Sequence, residues 1–203
     1  MPWCIFDTET SGLFDFRQPA DAPGQPRLAQ FSAILIGDDL AETDRINLYV
    51  RPDGWEMTAE AQAVHGLSTE FLKREGAPVD YVLGIYANLI DGGYIMAAYN
   101  AQYDLKVMRG EMRRAGRPDL FEETPNTCLM RAAMKLGIKK AGGGRGWPKL
   151  SDVCAHFAFD NPNAHDAMGD AAADARLFRV LHARGALIEP AVHYAKNRPE
   201  DSQ

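Results

Sequence analysis

The sequence predicts one α/β domain built on a mixed sheet. Three β-like segments come before any sustained helical period, and helices and short apolar strands then alternate to the end. A length of 203 residues suits one sizeable core.

The elements follow in order. "WCIFDT" from Trp3 opens the chain as an apolar strand. After a Pro/Gly-rich stretch from Phe14 to Arg27, "AQFSAILIG" and "RINLYV" read as two further strands. The polar "DDLAETD" between them marks a hairpin. A short helix over Thr58 to Val64 closes at Gly66, a C-terminal cap. Val79 to Ile90 reads as a helix with Val82, Ile85, Tyr86 and Leu89 on one side. "YIMAAY" is a short buried strand, and a strong helix over Gln102 to Ala115 follows it. Its apolar face is Leu105, Met108, Met112 and Ala115, with Asp104 at the edge of that face. The opposite stripe, Lys106, Arg109, Arg113 and Arg117, is expected to face solvent. "TCLM" forms the last strand and leads into a helix ending at Leu136. "AGGGRGWP" is a loop, and "KLSDVCAHF" and "AMGDAAADARLFRVLHA" are the last two helices. Residues 1–188 are expected to form the domain, and 189–203 a polar, flexible tail.

Composition excludes some functions. A net charge of −6, from 28 acids against 22 bases, argues against a protein that coats itself in nucleic acid. It leaves room for an enzyme that gathers acids at a metal and holds a strand with a local basic edge, such as Lys139, Lys140, Arg145 and Lys149. No apolar run approaches a membrane span, and the N-terminus lacks the basic-then-apolar build of a signal peptide. The three cysteines are widely spaced, without Cys-x-x-Cys, so a reduced, cytoplasmic setting is expected. Cys154, His156 and His165 lack zinc-ligand spacing, and burial on an apolar helix face accounts better for the first two.

The acids carry the chemistry. In "FDTETSGL", Asp7 and Glu9 stand two apart on a strand, so both point to one face and repel each other. A divalent cation is the natural compensation. Asp104 follows the buried "YIMAAY" strand in the first turn of its helix and points toward the sheet. In "HDAMGDAAADARLF", His165 precedes a helix, and Asp170 and Asp174 share one stripe a turn apart. Spacing alone does not choose between those two.

Together these stretches resemble the DEDDh class of 3′–5′ exonucleases, which includes proofreading subunits of bacterial replicative polymerases and several trimming RNases. "FDTETSGL", "YNAQYDLKVM" and "HDAMGDAAADARLF" match its three motifs in order, and "EAQAVHGLSTEFL" matches the segment between the first two. The resemblance spans about Trp3 to Leu181. It implies an RNase H-like fold: a five-stranded mixed sheet, three antiparallel strands then parallel ones, flanked by helices. It implies Asp7, Glu9, Asp104 and Asp170 as ligands of two divalent cations, Mg²⁺ or Mn²⁺, with Asp7 shared. His165 becomes the general base, and Asp174 a surface or salt-bridge residue. Thr8, Thr10, Leu13, Glu60, His65, Asn100 and Tyr103 become contacts to the substrate end, with Leu13 an apolar wedge under the last base.

The implied substrate is the 3′ end of a nucleic acid, DNA first and RNA second, with nucleoside monophosphates released. Association with a replicative polymerase is left unassigned. A non-catalytic binding module on the same fold is the rival from another class, and the presence of all four acids with His165 counts against it.

Overall fold

The computed structural model describes residues 1–120, 123–143 and 145–193. β1 (Trp3–Thr10), β2 (Leu28–Ile36) and β3 (Glu42–Tyr49) form an antiparallel meander. β4 (Ile95–Ala98) then pairs parallel to β1, and β5 (Asn126–Cys128) parallel to β4. The strand order is β3-β2-β1-β4-β5. β2 is buried along its whole length, which is why it reads as a continuous apolar run, whereas the edge strand β3 is mostly exposed. β3 starts at Glu42, inside the segment expected to be the hairpin turn, because Glu42 and Asp44 still pair with Ile36 and Leu35.

Helices cover both faces. α1 (Ala59–His65) is capped by the Thr58 hydroxyl and by Gly66 in the left-handed region. α2 (Thr69–Glu75), which periodicity did not reveal, is capped by the Ser68 hydroxyl. α3 (Val79–Asp91) and α4 (Ala101–Arg114) follow, the latter directly from β4. α5 (Leu129–Lys135), α6 (Leu150–His156) and α7 (Ala167–Ala183) complete the set.

Strand parity sorts the two faces. Trp3 meets Phe178 of α7 at 4.8 Å between ring centres, and Ile5, Asp7 and Glu9 share its side. Phe6 points the other way and packs on Tyr86 of α3, and Thr8 shares that side; Thr10, past the register shift after Glu9, reaches the Tyr103 hydroxyl of α4. The carboxylates of β1 therefore emerge on the α7 face, and its threonines on the α4 face.

The stretch 14–27 lies against α4. Phe14 packs edge-on against Tyr103, and Phe16 lies 6.2 Å from the same ring. The Lys106 ammonium covers Phe14 and Phe16 and donates to the Gln18 carbonyl. Glu111, only 2% exposed, accepts from both arms of Arg27, from the Leu28 N–H and from Arg114.

This overturns the expectation that Lys106, Arg109, Arg113 and Arg117 form a solvated stripe. Arg109 is buried and pairs with Asp119. Arg113 pairs with Asp119 and Asp21, and Arg117 with Asp80. Their partners lie in other segments, so helical periodicity alone assigned the wrong environment. At the other end, Ala191 pairs with Asn126 of β5, and the Ile188 carbonyl accepts from Thr127. Positions 194–203 of the expected tail, and Gly144 of the glycine-rich loop, lie outside the described residues.

Candidate metal centre and nucleic-acid cleft

Two carboxylates come from β1 and a third from α7. One ligand oxygen each from Asp7, Glu9 and Asp170 lie within 4.8 Å of one another. What brings α7 there is Gln30, paired with Glu9 across β1 and β2 and wholly buried. Its amide nitrogen donates to Asp166 and Asn47, and its amide oxygen accepts from the Ala167 N–H. Asp166 also caps α7 by accepting from the Gly169 N–H. Gln30 and Asp166 thus bolt the start of α7 to the sheet. Neither was singled out from the sequence, although an Asp three residues before Gly169 at a helix start carries the N-cap signature.

The segment before α7 folds over Asp170. Asn161 donates its amide to one carboxylate oxygen, and the His165 N–H donates to the other at 3.1 Å. His165 itself has φ of 66°, a left-handed conformation that disfavours a side chain. Gly169 makes the fold-over possible, since a Cβ there would lie 2.3 Å from the Asn163 carbonyl oxygen.

Asp104 arrives from the opposite face. It is 4% exposed and accepts from both the N–H and the hydroxyl of Thr8, at 3.1 and 2.8 Å. It is outside the Asp7–Glu9–Asp170 trio but borders the same cleft of about 220 Å³, together with Asn100, Tyr103 and His165.

The electrostatics are those of crowded, buried acids that a cation would relieve. Burial, then Asp104, Glu9, Asp170 and Asp174, push the Asp7 carboxyl far above its usual range. Glu9 is pushed up to about 8 by burial and by Asp170, Asp104 and Asp166. Asp104 rises to about 7 through burial, with the Thr8 bonds pulling the other way. Burial also raises Asp170, against the opposing pull of Asn161 and the His165 N–H. The neighbouring charges that raise Asp7 and Glu9 are carboxylates, Asp104, Asp170, Asp174 and Asp166, with Glu9 itself acting on Asp7. Hard oxygen donors without a thiolate fit Mg²⁺ or Mn²⁺.

The remaining residues fall into two sets. Thr10, Leu13, Glu60, Val64, His65 and Tyr103 line a second cavity of about 420 Å³, which shares Thr8, Glu9 and Tyr103 with the acidic cleft. Leu13 is 89% exposed at its rim. The Tyr103 hydroxyl bonds Thr10 and donates to the Gly12 carbonyl, so it holds the loop after β1 besides walling the cleft. His65 Nδ1 accepts from the Leu67 N–H, which leaves the proton on Nε2 to donate to the Thr10 carbonyl at 3.2 Å. Burial lowers its pKa, in keeping with a neutral ring. The Thr8 hydroxyl is committed to Asp104. Asn100 precedes α4 without capping it by its side chain.

Two expectations are corrected. Asp174 is not a surface or salt-bridge residue: it is wholly buried, and its Oδ2 accepts from the Tyr99 N–H at 2.9 Å. It lies on the α7 face that packs on the sheet, where a surface ion pair cannot form. Cys154 is buried as expected, but His156 is exposed at the end of α6.

The family model described as exonuclease (RNase_T) matches residues 4–178. The DNA polymerase III subunit epsilon of Rickettsia typhi (strain ATCC VR-144 / Wilmington) is 26% identical over 183 residues, 87% of this chain and 72% of that protein. Its counterpart from Rickettsia conorii (strain ATCC VR-613 / Malish 7) is 28% identical over 184 residues, with the same shares. Among solved structures, E. coli exonuclease I in complex with a dT13 oligonucleotide superposes with a TM-score of 0.74 at 20% identity. That match covers 90% of this chain but only 41% of the exonuclease I chain, and the likeness is one of fold. No helix among the described residues is long and apolar enough to cross a membrane.

Proposed function

Because this chain belongs to the exonuclease family, as a 3′–5′ exonuclease on the RNase H-like fold, we propose that it removes nucleoside monophosphates from the 3′ end of DNA, single-stranded or frayed. The observation that carries the reading is the convergence of Asp7, Glu9 and Asp170 to within 4.8 Å, with Asp104 bordering the same cleft.

Asp7, Glu9 and Asp170 would hold one divalent cation, and Asp7 with Asp104 a second. Bound Mg²⁺ or Mn²⁺ supplies charge neutralisation at the phosphoryl oxygens and a lowered pKa for the attacking water. The protein's own groups do the rest. His165, beside Asp170, accepts the proton of that water. Thr8 keeps Asp104 aimed at the cleft. The larger cavity receives the terminal nucleoside, with Leu13 under the base and Glu60 and His65 toward the sugar and phosphate. The leaving 3′-oxygen then departs with the shortened strand.

The test is a panel of 3′-end-labelled substrates with Mn²⁺: single-stranded DNA, RNA of the same sequence, and a duplex with a 3′ mismatch. Mononucleotide release from DNA, absent in Asp7→Ala, is the expected result. Faster release from RNA would shift the assignment to an exoribonuclease, and intact 3′ ends throughout would sink the proposal. Since the relatives named above are polymerase subunits, a replicative polymerase is the first protein to try in co-elution.

A further inference from the structure

Asp174 is a polar exception on the buried face of α7, where Ala171, Ala175, Leu177 and Phe178 are its apolar company. One oxygen accepts from the Tyr99 N–H. The other, Oδ1, is buried with no hydrogen-bond partner among the described residues. A buried oxygen left in that state costs stability, and an apolar side chain would avoid the cost. The residue is therefore not explained by packing.

Its partner explains it better. Tyr99 is the hinge between β4 and α4, directly after Ala98 and before Asn100, so its backbone sets where α4 begins and where Asp104 stands. The Tyr99 carbonyl accepts from the Met130 N–H, and its hydroxyl donates to the Pro148 carbonyl. β1 pairs with β4 only as far as Ile5 and Ala97, so the Tyr99 N–H lies beyond that ladder and Asp174 supplies its acceptor.

We propose that Asp174 is a positioning residue: it ties the helix carrying Asp170 to the turn carrying Asp104, and so sets the spacing of the carboxylates across the cleft. The proposal rests on the metal-dependent reading above. Outer groups that orient metal ligands typically govern about 10–100-fold in metal affinity.

Three variants separate the reach of the acceptor from the acid group itself, read by calorimetric titration of the purified protein with Mn²⁺ alone. Asp174→Asn keeps an acceptor at the same reach and loses the acid, whereas Asp174→Glu keeps the acid and displaces the acceptor by one methylene. Asp174→Ala loses both. The expected order is wild-type affinity, within about twofold, for Asn and a loss of about tenfold or more for Glu and Ala. With single-stranded DNA, kcat should fall in the Glu and Ala variants while KM holds, and Asn should restore it.

The proposal is overturned if Glu binds Mn²⁺ like the wild type while Asn does not, or if all variants match. The Asn and Glu pair decides this even if Ala fails to fold. A wild type that binds Mn²⁺ but leaves DNA intact would count against the exonuclease reading and leave this test readable. A wild type that takes up no Mn²⁺ overturns both.

Discussion

Metal binding by this cleft should be strongly pH-dependent, in a direction set by Glu9. Its carboxyl rises from 4.5 to about 8 through burial and the neighbouring acids. A cation ligand must be deprotonated, so binding at low pH has to expel a proton. With one such proton, about 3% of molecules carry an ionised Glu9 at pH 6.5 and about 75% at pH 8.5, so Mn²⁺ affinity should rise roughly 25-fold across that interval. Further release from Asp104, raised to about 7, would steepen the lower part. Calorimetry in two buffers of different ionisation enthalpy measures both the affinity and the protons released. The linked stability has the opposite sign to an ordinary ion-paired acid. The metal-free protein favours the neutral carboxyl, so its stability falls as pH climbs from about 4.5 toward 8, and Mn²⁺ should restore it most at the upper end. An affinity that moves less than about threefold between pH 6.5 and 8.5, with no proton released, would refute the reasoning.

Three further outcomes are expected. His165→Ala should lower kcat by roughly two to four orders of magnitude while calorimetric Mn²⁺ binding persists; an unchanged rate removes His165 as the base. Glu111→Ala leaves the Arg27 and Arg114 charges and the Leu28 N–H without their shared acceptor. It should cost about 3 kcal/mol in urea unfolding, the low end for a broken buried pair because both arginines partly reach water. Less than about 1 kcal/mol would mean the cluster is dispensable. Gly169→Ala must push the 161–165 segment off Asp170. Activity should drop with little change in melting temperature, and a fully active variant would show that the segment's position is immaterial.

Much of this arrangement is legible in local sequence. Asp7 and Glu9 share a strand face by parity, and the structure keeps that parity through Glu9, with the register shift falling only after it. Asp104 points to the sheet because it follows a buried strand by one helical turn. Thr58 and Gly66 announce the ends of α1 by their own chemistry. The misreadings have other causes. α2 is only seven residues long, too short for periodicity to stand out, and its Ser68 cap was the one usable sign. Arg109 was assigned to solvent because periodicity identifies a stripe without saying what covers it, and Asp174 to the surface or a salt bridge because the motif that places the ligand at Asp170 leaves it no role. Asp119 and Tyr99, the groups they meet instead, lie in other segments. Gln30 reads as one polar residue in an apolar strand, and its job appears only once α7 is docked beside it.

Gly110 on α4 lies directly beneath Ala20. A methyl group there would stand 2.5 Å from the Ala20 carbonyl oxygen, so the chain leaving β1 lies flat on the helix only because that methyl is absent. The 14–27 segment and the helix beneath it therefore fit together as one packed unit. Transplanting the loop onto a scaffold with alanine at this point would lift it away, freeing Phe16 and Lys106 together and loosening the wall beside Tyr103.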